Sequence, residues 1–218
     1  MTMIPLDDIS SLRKEYKRGD LIEQSIPEDP ITLFAQWFSE TGAMNISEPN
    51  AMILTTVSKE GKPSSRAVLL KGLEQGSFVF FTNYESRKAQ DILLNPHVSL
   101  LFLWLDAERQ IRIEGKATKI SIQESEQYFA TRPRESQLGA WASDQSKPIS
   151  SREELEKKFK EMELRFQGIE HIPMPEHWGG FAVSPMSIEF WQGRIGRLHD
   201  RIQYQKQGDS WTKQRLNP

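Results

Sequence analysis

Near the end of the chain, in Ile188–Arg201, Arg197, His199 and Arg201 fall at every other position. On a β-strand this spacing projects two guanidinium groups and an imidazole from one face. Such a row repels itself unless an anion lies against it, so it reads as a surface for a negatively charged ligand. A solvated basic strand face is the competing reading. A second cluster, Ser86-Arg87-Lys88, stands at a predicted strand-to-helix junction, where free N–H groups and the helix dipole favour an anion. Basic side chains in a first turn oppose that dipole at up to ~1 kcal/mol unless a phosphate or carboxylate is bound; an exposed basic helix start is the alternative. Tyr128, Arg132 and Ser136 are spaced four apart and would form one helical stripe, except that Pro133 disfavours helix at Arg132. A helix end followed by a new helix with Pro133 in its first turn fits better, and all three groups still suit a phosphate. Arg66 and Lys71 have odd separation and should point to opposite faces of a strand; each needs a partner, and an internal salt bridge would serve. Gln145-Ser146, in a polar loop, says little alone.

The elements that must place these groups begin with two predicted helices, Leu6–Lys17 and one capped by Asp29-Pro30 that carries Leu33, Phe34, Trp37 and Phe38 and closes at Gly42. Gly19–Glu28 between them reads as a mobile linker. From Ala51 three short strands at hairpin spacing follow (AMILTTVS, SSRAVLLKG, GSFVFFT), then a helix over Ser86–Leu94 stopped at Asn95-Pro96. HVSLLFLWL and RQIRIEGKATKI are strands joined by a turn at Asp106–Ala107; helices cover about Gln123–Ala142. A capping-box pattern at Ser150–Glu153 opens a helix to about Phe166. GGFAVS, MSIEFWQG, RLHDRIQYQ and SWTKQRL are the closing strands. Because strands meet through turns and seldom through crossover helices, the fold class is mainly β with helices (α+β), an antiparallel sheet closed into a barrel with helices packed around it. Residues 1–28 are expected to be a mobile N-terminal segment and 29–218 a single domain.

The 218 residues carry 28 basic and 30 acidic side chains, net charge −2, which argues against a nucleic-acid binder. Cysteine is absent, which excludes disulfides, thiolate metal sites and cysteine nucleophiles. No secretory pattern opens the sequence, and the longest apolar run, Val98–Leu105, is too short for a bilayer; a cytoplasmic protein with no membrane partner is expected. Glycine-rich nucleotide loops, a helical zinc motif and a serine-hydrolase elbow are missing. His97 and His177 read as structural, and no metal site is expected. The cationic clusters share a preference for phosphoanions. Two such sites, with Trp191 and other aromatics near one, suggest a phosphorylated aromatic cofactor beside a phosphorylated substrate.

The segments RAVLLK (66–71), FFTNYESRKAQDI (80–92), RQIRIEGKA (109–117), YFATRPRESQLGAWAS (128–143), QS (145–146) and EFWQGRIGRLHDR (189–201) closely resemble the pyridoxine/pyridoxamine 5′-phosphate oxidase family, and the similarity runs from Leu12–Tyr16 to the last strand. The resemblance implies a split β-barrel that binds FMN, in a homodimer with its active sites at the interface. It implies oxidation of pyridoxine 5′-phosphate or pyridoxamine 5′-phosphate to pyridoxal 5′-phosphate by molecular oxygen, releasing hydrogen peroxide and, from the amine, ammonia. By motif, Arg66, Ala67, Val68, Leu69, Leu70, Lys71, Phe81, Thr82, Arg87, Lys88, Gln110, Gln145, Ser146, Trp191 and Arg201 would contact FMN. Lys71, Tyr128, Arg132 and Ser136 would grip the substrate phosphate, and Arg197 and His199 would lie over the pyridine ring as catalytic residues. Arg13 and Tyr16 match a segment that closes over the site. A dimer interface would reconcile the opposed faces of Arg66 and Lys71. Some members carry Tyr at the position of Phe81, and Arg194 has no role in this reading. The alternatives are a split-barrel flavoprotein for another substrate, a non-catalytic pyridoxal phosphate or flavin carrier, and a flavin-free phosphoanion-binding module.

Overall fold

The computed structural model describes Leu12 and residues 14–218. Nine strands form one sheet: β1 (Ala51–Val57), β2 (Pro63–Leu69), β3 (Gly72–Glu74), β4 (Ser77–Asn83), β5 (His97–Trp104), β6 (Arg109–Lys119), β7 (Trp178–Gln192), β8 (Asp200–Gln207) and β9 (Ser210–Arg215). Their order is β2-β1-β5-β6-β7-β4-β3, with β8 on β7 and β9 on β8. The β1–β2, β1–β5, β3–β4, β4–β7, β7–β8 and β8–β9 ladders are antiparallel, as turn-linked strands require. Five α-helices accompany them among the described residues: α1 (Pro30–Ala43), α2 (Arg87–Leu94), α3 (Ile122–Thr131), α4 (Arg134–Ala142) and α5 (Arg152–Arg165).

The chain forms two compact units. The first comprises the stretch ending at Pro49, Leu103–Arg112 and Ser187–Pro218. Its core is aromatic: Trp37 of α1 meets Phe190 edge-on at 5.2 Å, and Phe190 meets Tyr204 at 5.7 Å. Asp29 starts α1 by accepting hydrogen bonds from the N–H groups of Ile31 and Thr32, with Pro30 in the first turn. The second unit comprises Asn50–Phe102 and Ile113–Met186. Phe80 and Phe181 stack there at 5.7 Å, and Phe78 lies 6.4 Å from Phe102. Each ring so buried is worth ~1.5–3 kcal/mol.

Several elements depart from the sequence reading. Leu12 and Lys14–Lys17 are not helical; the rest of the helix expected over Leu6–Lys17 lies outside the described residues. Gly19–Glu28 is held by specific bonds: Leu21 is buried with its N–H on Asp200, and the Tyr204 hydroxyl donates to the Pro27 carbonyl at 2.6 Å. Gly42 sits inside α1, and the chain turns at Asn45, whose φ is +52°. A fourth short strand, β3, pairs with β4 where three strands were expected in the first group. GGFAVS and MSIEFWQG are one strand, since β7 runs through Pro185 unbroken. The cap of α5 is Ser151, one residue later than expected, accepting from the Glu154 N–H.

Candidate active site

In the second unit, β2, β4, α2, α3 and β7 enclose a cavity of about 250 Å³. Ala67, Val68, Leu69, Lys71, Phe81, Thr82, Lys88, Tyr128, Arg132 and Gln145 line it, all drawn from the predicted site, together with Trp178. The register explains the first members: β2 pairs residue for residue with β1 and ends at Leu69, so Lys71 lies beyond the strand. The parity conflict between Arg66 and Lys71 therefore does not arise. Lys71 is instead fixed through its backbone N–H, which donates to the Val79 carbonyl at 2.8 Å.

Lys88 is the electrostatic centre of this cavity. Its ammonium donates to Thr82 Oγ1 at 3.0 Å, Ser86 Oγ at 3.3 Å and Gln145 Oε1 at 2.7 Å, all neutral acceptors. Burial, reinforced by the charge of Arg66, pushes its pKa down to about 8. Ser86 is the N-cap of α2, yet its side chain makes no cap bond to the helix. A cation held among neutral dipoles at a helix N-terminus suits an anion.

Across the same cavity three rings stack. Phe81 lies 3.9 Å from Tyr128 and 5.2 Å from Trp178, with interplanar angles of 15° and 9°. Pro133 ends α3 as expected and caps α4, leaving Arg132 in an extended conformation between them. The Arg132 guanidinium sits 4.8 Å over the Trp178 ring, and its Nη1 is buried with no hydrogen-bond partner. Burial lowers its pKa. An orphaned guanidinium N–H is expensive to bury and fits an incoming phosphate oxygen.

Other predicted residues of this unit do not reach the cavity wall. Arg66 turns back to Leu54 O, Thr56 Oγ1 and Ser64 Oγ, at 2.9–3.2 Å, and Thr56 is bonded to Asp91. Arg87 is exposed and Leu70 is buried in the core. Ser136 lies in the first turn of α4 and Ser146 in the following loop with φ +73°; neither lines the cavity.

The first unit holds a larger cavity, about 540 Å³, lined by Tyr16, Trp191, Arg194, Arg197 and His199 among others. Here the strand argument fails. β8 begins only at Asp200; Arg197 ends a 3-10 turn, and Gly196 and Arg197 both have positive φ, +66° and +62°. Two successive left-handed residues break the period of two. Arg197 and His199 nevertheless face one cavity, through the turn and not through strand alternation. His199 lies 4.6 Å from Trp191 and 5.7 Å from Tyr16 between ring centroids. Burial, then the charge of Arg197, lowers its pKa. Arg201 is on β8 but bonds the buried Glu189 at 2.8 and 3.1 Å, which raises its pKa. Gln110 on β6 is half-buried and is not in the cavity wall; Arg13 lies outside the described residues.

Three contributors escaped the sequence reading. Glu108, buried, accepts the backbone N–H groups of Lys17 and Arg18 at 2.7 and 2.9 Å and so seats the Tyr16 segment. Arg194, left without a role, donates to the Gly19 carbonyl at 2.9 Å. Glu189 was legible: a lone carboxylate in the apolar run IEFW needs a cation. Among the described residues no group of acidic or histidine side chains could hold a metal, and no helix is long and apolar enough to cross a membrane.

Residues 40–166 match the family described as pyridoxamine 5′-phosphate oxidase, and 178–218 match the pyridoxine 5′-phosphate oxidase C-terminal dimerisation region. The chain belongs to the pyridoxine/pyridoxamine 5′-phosphate oxidase family. A pyridoxine/pyridoxamine 5′-phosphate oxidase of Rubrobacter xylanophilus is 53% identical over 97% of both chains. One from Leptospira biflexa is 54% identical over 98% of this chain and 100% of its own. Among solved structures, PhzG from Burkholderia lata, in complex with tetrahydrophenazine-1-carboxylic acid, superposes with a TM-score of 0.86 at 27% identity, over 93% of this chain and 100% of that one. An FMN-binding, oxidase-related protein of Nostoc punctiforme shares the fold at TM-score 0.68 and 18% identity, over 88% of this chain and 98% of its own. The oxidase family's split-barrel fold is thus the fold of this chain, as its segments implied.

Proposed function

We propose that this protein oxidises pyridoxine 5′-phosphate or pyridoxamine 5′-phosphate to pyridoxal 5′-phosphate, in vitamin B6 salvage, as a homodimer with active sites at the subunit interface. Molecular oxygen is the final acceptor; hydrogen peroxide is formed and the amine substrate also yields ammonia. The observation that carries this reading is the cavity of the second unit, where Lys88 and Arg132 are both half-buried, both without a carboxylate, and both within family motifs. The fit to FMN rests on the same groups: a cation ringed by neutral acceptors at the start of α2 suits its phosphate. FMN, when bound, supplies the two-electron acceptor.

What the chain itself supplies is binding and orientation. Lys88, with Thr82 and Gln145 and with Arg66 and Arg87 adding positive potential, holds the flavin phosphate. Arg132, Tyr128 and Lys71 take the substrate phosphate, the first through the N–H that lacks a partner. Anchoring both reactants makes the encounter effectively intramolecular, worth up to ~7–11 kcal/mol when the geometry is productive. Arg197 and His199 meet the pyridine ring and orient the reacting carbon toward the electron acceptor. The 53% identity to an oxidase, against 27% to PhzG, favours a vitamin B6 ester over a phenazine precursor.

The test is to purify the protein, reconstitute it with FMN, and follow oxygen uptake and peroxide with pyridoxamine 5′-phosphate. Stoichiometric peroxide and aldehyde are expected. A yellow, flavin-loaded protein that consumes no oxygen would make it a carrier, and a chain that retains no flavin would make it a phosphoanion-binding module.

A further inference from the structure

The turn that carries Arg197 also fixes the protonation pattern of its neighbour. The backbone N–H of Arg194 donates to His199 Nδ1 at 3.1 Å. An amide N–H can only donate, so Nδ1 must present its lone pair, and in a neutral imidazole the single proton then belongs to Nε2. We propose that His199 works as this Nε2–H tautomer, a fixed hydrogen-bond donor to an acceptor oxygen on the bound ring, and not as the base that removes a substrate proton. The proposal deepens the oxidase reading and takes its ligand from it.

The donor amide has little freedom to leave. Arg194 is tied at its far end to the Gly19 carbonyl at 2.9 Å, with Asp200 Oδ2 3.6 Å from its Nε. The preceding Gly193 N–H is bound to the Glu108 carbonyl at 2.8 Å. The imidazole packs in its turn against Trp191 and Tyr16, which also contact each other. Nε2 has no bond to any described residue, and His199 belongs to the cavity wall. Protonating Nδ1 would set one N–H against another and add a charge beside Arg197, so the cation is disfavoured as well. A ring whose one free nitrogen already bears a proton cannot accept another from the ligand. It selects instead for oxygen lone pairs, such as a ring hydroxylate.

The experiment is long-range 1H–15N correlation on protein labelled with 15N-histidine, the His199 resonances being assigned by their loss in His199→Gln. A single Nε2–H tautomer near pH 8 is expected; an Nδ1–H tautomer, or exchange between the two, overturns the proposal. Kinetics give the second readout. The Gln carboxamide can place an N–H near Nε2, whereas Asn reaches only the Nδ1 position. His199→Gln should retain about ten times or more the activity that His199→Asn retains. Equal and large losses in both overturn the donor role. The spectrum needs no turnover, so an inactive protein with the Nε2–H tautomer sinks the oxidase reading alone, and an active one with Nδ1–H sinks this inference alone.

Discussion

Lys88 gives the site its most direct pH signature. Burial holds its pKa at about 8, so it is charged at neutral pH and loses its proton as pH rises through 8. A bound phosphate stabilises the charged form, so flavin binding takes up a proton above that pH. FMN affinity should therefore weaken as pH rises above 8, as measured by flavin fluorescence titration. Lys88→Gln should lose roughly 10–100-fold in affinity at pH 7, the worth of a charge-assisted bond, and should flatten the pH dependence. A wild-type profile flat to pH 9.5 would remove Lys88 from the phosphate site. Arg132 behaves differently because its Nη1 is unsatisfied in the free protein. Arg132→Met should leave urea stability within about 1 kcal/mol of wild type while raising KM for the phosphorylated substrate about 100-fold. A large stability loss with unchanged KM would make it a packing residue. At this scale the residue types were legible in sequence, because uncompensated cations in motifs point to anions. Which of them were already spoken for was not: Arg201 carries the same charge but is paired with the buried Glu189.

Two helix starts show how an element's local chemistry can be diverted to the site. Asp29 caps α1 with its carboxylate and also accepts the Thr32 hydroxyl, so Asp29→Ala should lower stability by about 1 kcal/mol in denaturant melts. Ser86 occupies the same position before α2 but offers its oxygen to Lys88. Ser86→Ala should change stability by under about 0.5 kcal/mol and weaken FMN binding severalfold; a stability loss like that of Asp29→Ala would restore it to capping. The turn after β7 also serves the site. A Cβ on Gly193 would lie 2.6 Å from Tyr16 Cγ. Gly193→Ala should then displace Tyr16 and raise substrate KM about tenfold with FMN affinity unchanged; an unaltered KM would separate Tyr16 from substrate binding. These elements were read well where the signal was local, as with the Asp29-Pro30 start and the Pro133 break. They were misread where the backbone left its period, at Gly196-Arg197, because side-chain spacing does not reveal a left-handed pair.

Neither compact unit is a continuous stretch of chain. The first draws on three separate stretches, ending with β8 and β9, and the C-terminal residues 178–218 match a dimerisation region. Sedimentation velocity at micromolar concentration should give a mass twice that of the 25.2 kDa chain, with one FMN bound per chain. A monomer that retains full activity would contradict an interface active site. The segment Gly19–Glu28 shows how long-range contact redefines a local reading. Its polar composition suggests a linker, yet Arg215 of β9 bonds both Glu23 and the Leu21 carbonyl, and that pairing drives the Glu23 carboxyl down to about 2. No local pattern announces a partner 192 residues away.

The sequence by itself determined the family, the antiparallel strand-and-turn organisation and the residue types of the phosphoanion sites, because these depend on local periodicity, capping chemistry and uncompensated charge. Only the tertiary structure decided which cations are free. It paired Arg201 with Glu189, left an N–H of Arg132 without a partner, and turned His199 Nδ1 toward the Arg194 amide. Those outcomes rest on strand register and on one left-handed turn, which bring together groups far apart in the chain, and no pattern along the chain encodes the distance between them.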